Sequence, residues 1–453
     1  MWQCCYDMCI VRDIKHHISP NPLAFIIASM VGLVSGCFAF LLKRMIASVS
    51  GWLTAGMHAG EANYLLLLIP VCGIVLTGVF CRYVLHRDIS HGVRQLMQGL
   101  KNKVYRLPLV QTVSPMIAST LTLGFGGSAG SEGPIACTGA AIGSNMARMF
   151  RMSPRMMMIM VGCGAGAGIA GIFKAPIGGA LFTLEVLRMG LSTFSVLVLC
   201  VATLISALTA YSLSGFTLDI AYNQSMPFDA SLLPYVVLLG VCCGFYSLYY
   251  SYIMKRVEQW LHAVKKQWVK NLMAGAGLAV MIFWFPALYG EGYDVIGGVI
   301  NGHDGGLIAD GPFADVADSV WYMIAVAAGI MALKCFAASA TTSGGGVSGD
   351  FAPTLFAGCV TGYVFAMLLN VLFGLHLSVA MFAYFGMAGV MAGAIRAPLM
   401  AIFLTCEMAG AYSMLLPLTI ASALSFGVVR LFTADSFFSI RIDRHNGVLT
   451  RRR

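Results

Sequence analysis

One carboxylate stands inside a glycine-rich run: Glu132 in GGSAGSEGP, residues 126–134. An ionisable side chain in a hydrophobic stretch is costly and marks a functional position. The glycines leave backbone N–H groups open to an anion where a helix begins. A carboxylate beside such a cradle can fill the anion's place when ionised and vacate it when protonated or displaced. The chemistry implied is an anion seat with a titratable occupant. The plainer alternative is a glutamate that only caps the first turn of its helix.

A second run has the same form. GDFAP (349–353) resembles GSEGP (130–134), and each follows glycines, in SGGGVSG and GFGGSAG. Likewise FKAPIGGALFTLEVL (173–187) resembles AIRAPLMAIFLTCEM (394–408). The spacings agree: Pro134 to Pro176 is 42 residues and Pro353 to Pro398 is 45, while Lys174 to Glu185 and Arg396 to Glu407 are both 11. Two motifs in one order at one spacing imply an internal duplication. Gly- and Pro-interrupted segments at matching places in two halves point to a site near the membrane midplane. A helix that starts there leaves its first N–H groups unpaired. That is tolerated only against protein or a water-filled cavity.

The elements that must position these motifs are membrane helices. The 453 residues are 58% hydrophobic and 10% charged, with a mean hydropathy of +0.82. A globular chain is about 25% charged. The composition predicts an all-α polytopic membrane protein. Apolar stretches long enough to span include 22–42, 63–81, 191–213, 231–253 and 363–391. Residues 1–21 read as a short cytoplasmic lead-in without signal-peptide form. Residues 22–445 form the membrane domain, with halves at about 22–213 and 231–433, and 446–453 are a basic tail. Most of the fourteen cysteines lie singly in apolar runs and read as small buried hydrophobes.

Charge position sets sidedness. Basic residues cluster at 82–106, 148–155, 255–270 and 451–453, whereas Asn271–Leu333 has no Lys or Arg and carries Glu291, Asp294, Asp304, Asp310, Asp315 and Asp318. The positive-inside rule puts the basic loops in the cytoplasm and the acidic loop outside. No separate basic domain exists to bind nucleic acid, so none is expected as a partner. HExxH is absent, which disfavours an intramembrane metalloprotease. No enzyme activity, cofactor or metal is expected.

These motifs resemble the CLC family of chloride channels and chloride/proton antiporters, over nearly the whole chain. GSEGP looks like the family's G(K/R)EGP, GDFAP like its GxFxP, and IRAPLMAIFLTCEM like its late membrane helix. The family's GSGIP segment aligns with Ile89-Ser90-His91-Gly92-Val93. The resemblance implies two inverted halves per protomer and a homodimer with one pore per protomer, in the cell (inner) membrane. It implies chloride or another small anion as cargo, with protons added in the antiporter branch. Glu132 would be the gate. Ser90, Gly130, Ser131, Gly133, Gly349, Phe351, Ala352 and Phe438 would form the anion path.

Three positions depart from the family pattern. Asp350 replaces an apolar residue and is expected to cap the helix beginning near Phe351. Phe438 stands where a tyrosine usually donates to the anion, and phenylalanine cannot donate. Val186 replaces the second glutamate of proton-coupled members, so the proton path is lost there and a channel is favoured. An antiporter using a water wire is the competing reading. Glu185 and Glu407 are expected to satisfy helix ends. Lys174 and Arg396 would either attract anions or snorkel to the interface. Eight residues follow His445, so the cytoplasmic CBS pair of many members is expected to be absent. Ser90 disfavours the fluoride-exporting branch.

Overall fold

A computed structural model of the chain describes residues 20–55, 64–86, 92–190, 192–218, 220, 222, 228–303, 307 and 319–433. Its helices in order are α1 (Pro20–Thr54), α2 (Ile69–Val79), α3 (Gly92–Lys101), α4 (Ser114–Gly124), α5 (Glu132–Met149), α6 (Pro154–Phe173), α7 (Pro176–Leu181) and α8 (Thr193–Leu213). The second half holds α9 (Leu233–Ala263), α10 (Gln267–Trp284), α11 (Tyr293–Ile300), α12 (Val320–Ser343), α13 (Phe351–Phe373), α14 (Val379–Ile395), α15 (Pro398–Ala409) and α16 (Leu415–Phe432). Among the described residues eight helical segments are long and apolar enough to cross a membrane.

The duplication is visible in local geometry. α6 starts on Ser153, whose hydroxyl accepts from Met156 N, and α14 starts on Ser378, which accepts from Met381 N. Both end on a cationic residue in the left-handed region: Lys174 at φ 56° and Arg396 at φ 63°. That conformation costs a side-chain-bearing residue about 1–2 kcal/mol, and a cation there complements the helix dipole. The next residues, Ala175 and Ala397, sit outside the helical region, as a residue before proline prefers, and Pro176 and Pro398 open the next helices. The Ala-Pro pair therefore breaks the chain at the same place in each half.

The stretch 363–391 is not one span. It covers the end of α13 and most of α14, separated by a turn at residues 374–378. Gly374 takes φ 62° at the break. Asn370 pins the turn by donating to Leu377 O at 2.9 Å and accepting from Leu377 N at 2.8 Å. Hydropathy alone reads through such a turn because its leucines are as apolar as the helices.

Close helix crossings carry the motifs. α5 crosses α6 where Gly139 meets Gly164 and Gly143 meets Met160. α13 crosses α14 where Gly358 meets Gly386 and Gly362 meets Phe382. A Cβ at any of these four α5 and α13 glycines would collide with a backbone carbonyl of the facing helix, as small-residue packing in membranes requires. Gly139→Val or Gly362→Val is expected to abolish the yield of monodisperse protein in size-exclusion chromatography. Gly277→Ala, where a Cβ meets open space, is expected to leave that yield unchanged.

Candidate functional site

The two glycine motifs meet face to face. Gly130 N donates to Gly349 O at 3.0 Å and Gly349 N to Gly130 O at 2.6 Å, an antiparallel bridge between the halves. Only glycine fits there. A Cβ on Gly349 would stand 2.7 Å from Gly133 N, and one on Gly133 would stand 2.8 Å from Ser348 O. The bridge brings the first turns of α5 and α13 together.

Glu132 is the first residue of α5 and is buried. Its Oε1 accepts from the backbone N–H of Ala352, in the first turn of α13. Its Oε2 has no hydrogen-bond partner among the described residues. The carboxylate thus sits on the N-terminus of the opposing helix, where a dipole and unpaired N–H groups favour negative charge. Beside it is a cleft lined by Gly92, Val93 and Arg94 of α3, Glu132 and Gly133 of α5, and Thr342, Ser348, Gly349, Asp350 and Phe351 of the second half. The Ser348 hydroxyl is buried, with no partner among the described residues.

Of the residues named from sequence, this geometry gathers Gly130, Ser131, Glu132, Gly133, Gly349, Phe351 and Ala352. Ser90 and Phe438 lie outside the described residues. Phe351 is buried and packs edge-on against Phe182, with ring centroids 5.7 Å apart at 71°. Asp350 is the N-cap residue of α13, but its side chain makes no capping hydrogen bond. The expected cap is therefore corrected: the Ala352 N–H that a cap would satisfy is taken by Glu132.

Glu185 and Glu407 are exchanged between the halves. Glu185 accepts from Leu399 N at 3.3 Å and Met400 N at 2.8 Å, at the start of α15. Glu407 accepts from Ile177 N at 3.0 Å and Gly178 N at 2.8 Å, at the start of α7. Val186 is buried in the main apolar cluster, in a π-turn over Phe182–Val186. Lys174 Nζ donates to Thr217 O at 2.6 Å, and Arg396 donates to Thr433 O at 3.0 Å.

Two residues beside the Glu132 motif were not assigned to it from sequence: Glu291, placed only in the acidic outer loop, and Lys334. Glu291 Oε1 accepts from Ser131 N at 2.9 Å and Ser131 Oγ at 2.7 Å. Lys334, fully buried in α12, donates to Ser128 Oγ at 2.9 Å. The available signals were Glu291 between two glycines and Lys334 inside an apolar run. Neither names its partner.

The family model described as "Voltage gated chloride channel" matches residues 72–430. The chain belongs to the CLC family. That family transports chloride and protons, and the chain is an integral, multi-pass membrane protein. A putative chloride channel protein ClcB-like of Ralstonia nicotianae is 25% identical over 92% of this chain and 96% of its own length. An H(+)/Cl(-) exchange transporter ClcA of Vibrio cholerae is 27% identical over 87% of this chain and 83% of its own. A crystal structure of a slow cyanobacterial Cl-/H+ antiporter superposes with a TM-score of 0.79 at 21% identity, covering 96% of this chain and all of that one. It shares the fold.

The exchanged glutamates give a stability prediction. Glu407→Gln keeps the shape but removes the charge that two helix-start N–H groups share, a loss on the order of 2 kcal/mol. The midpoint of thermal aggregation in detergent is expected to fall clearly below that of the parent. Tyr412→Phe, which removes only a 3.4 Å bond to the same carboxylate, is expected to shift it little.

Proposed function

We propose that the chain passes small anions, chloride foremost, along a path through the cleft at Glu132, and that Glu132 is the gate. One observation carries this reading: the Glu132 carboxylate sits on the Ala352 N–H, an anion position at a helix start. Ionised, Glu132 holds that position against an anion. Protonated or displaced, it leaves the N–H groups of Ala352 and its neighbours to the anion. Gly130, Ser131, Gly133, Gly349 and Phe351 shape the seat. On the family resemblance, Ser90 and Phe438 complete it on the inner side, with no hydroxyl supplied by Phe438. The same resemblance supports a homodimer with one pore per protomer in the cell (inner) membrane.

The path is channel-like in this reading. Val186 is an apolar core residue and carries no proton. The adjacent Glu185 is held by two backbone N–H groups of α15, so it does not substitute as an inner proton acceptor. A second reading is a chloride/proton antiporter with a water wire. It is favoured by relatives named as H(+)/Cl(-) exchange transporters.

Proteoliposome flux separates the two. Under an imposed chloride gradient the channel reading expects no uphill proton movement and a reversal potential that follows chloride alone. Proton uptake against its gradient would establish the antiporter. In both readings Glu132→Ala is expected to give anion flux that no longer changes between acid and neutral pH. Flux that keeps the parent's pH dependence would remove Glu132 from the gate.

A further inference from the structure

The outer side of the gate motif is flanked by two charges of opposite sign, Glu291 half-buried and Lys334 fully buried. The positive-inside rule puts the basic segment 255–270 inside and the cation-free stretch that carries Glu291 outside. Gly290 and Gly292 flank it, both left-handed at φ 65° and 81°. Gly290 N reaches Gly126 O at 3.5 Å, and a Cβ on Gly292 would stand 2.5 Å from the Phe356 ring. These contacts seat Glu291 on the motif loop. There its Oε1 takes both the N–H and the hydroxyl of Ser131, the residue at the start of α5.

Lys334 holds the same loop at Ser128. A buried ammonium needs a compensating charge, hydrogen bonds or a π face. Lys334 has a hydroxyl acceptor, the Phe356 ring 4.4 Å from Nζ, and two carboxylates within electrostatic range, Glu291 and Glu132. Glu132 in turn feels Glu291 and Asp350. With Lys334 set against Glu291, seating the ionised gate or a monovalent anion beside a protonated gate puts the same net charge on the group. Without Lys334, either state adds a negative charge beside an uncompensated carboxylate in a medium of low dielectric.

We propose that Glu291 and Lys334, held on one loop at Ser131 and Ser128, together set anion affinity at the outer face of the gate: Glu291 occupies the Ser131 donors an arriving anion would otherwise meet, and the Lys334 ammonium offsets its repulsion. This rests on the anion-path reading. Neither residue is the gate. Both act on the anion through the field they place at its seat.

The test is a charge cycle read as half-saturating chloride for flux in proteoliposomes, made on a Glu132→Ala parent so that no ionised gate competes with chloride for the seat. Glu291→Gln, nearly isosteric, is expected to lower that concentration on the order of tenfold, the scale of removing one unscreened charge nearby. Lys334→Met is expected to raise it by a similar factor. The double variant is expected to return towards the parent, and Lys334→Arg to stay close to it. The pair is overturned if Glu291→Gln leaves half-saturation unchanged or raises it, or if the double variant is no better than Lys334→Met. Glu291→Gln alone decides the matter should Lys334→Met fail to fold. A parent protein that moves no chloride overturns the anion path and the pair together. A parent that saturates normally, with variants lacking this sign pattern, overturns the pair alone.

Discussion

The structure depends on how helix starts inside a membrane are satisfied. Four helices begin at interior breaks: α5, α7, α13 and α15. Each has N–H groups without an intrahelical acceptor, and hydrocarbon supplies none. In every case a carboxylate from elsewhere in the chain provides one. Glu291 serves α5, Glu407 serves α7, Glu132 serves α13 and Glu185 serves α15. Acid and broken helix are thus one device. Each would be costly alone, and together they lock the halves to each other.

The four are not equivalent. Glu185 and Glu407 each use both oxygens, on two successive N–H groups. Glu291 is seated by an N–H and a hydroxyl of one residue. Glu132 engages Ala352 through one oxygen while the other has no partner among the described residues, and it alone of the four borders the cleft. The least committed carboxylate is therefore the one beside open space. A group that must exchange places with an anion has to be held by few bonds and have somewhere to go.

Much of this was legible in the chain, for a physical reason. Gly, Pro and a lone acid impose local backbone consequences, so GSEGP, GDFAP and the Ala-Pro pairs announce helix starts without a tertiary context. The equal spacing of Lys174–Glu185 and Arg396–Glu407 reported the repeat. Acceptor identity was not legible. Asp350 has the right chemistry for a cap, yet a residue 220 positions away in sequence holds the amide. The turn at residues 374–378 was hidden because an Asn side chain, not a polar run, closes it. Lys334 was hidden because a fully buried cation looks like a flaw in an apolar span until Ser128 and Phe356 are placed around it.

The two halves share a backbone plan but not its occupants. Glu132 and Phe351 hold matching places at the starts of α5 and α13, and the glycine bridge joins the residues two before each. Only Glu132 is ionisable. Phe351 is fixed by Phe182 and by burial, and offers an apolar wall with its neighbour's amide exposed to the carboxylate. A symmetric pair of glutamates would place two like charges at one seat, a repulsion that grows as the dielectric falls. Phenylalanine in the second half removes that conflict and leaves one N-terminus as donor and one side chain as occupant. Duplication built the two facing helix starts, and divergence at this single position left one ionisable side chain between them.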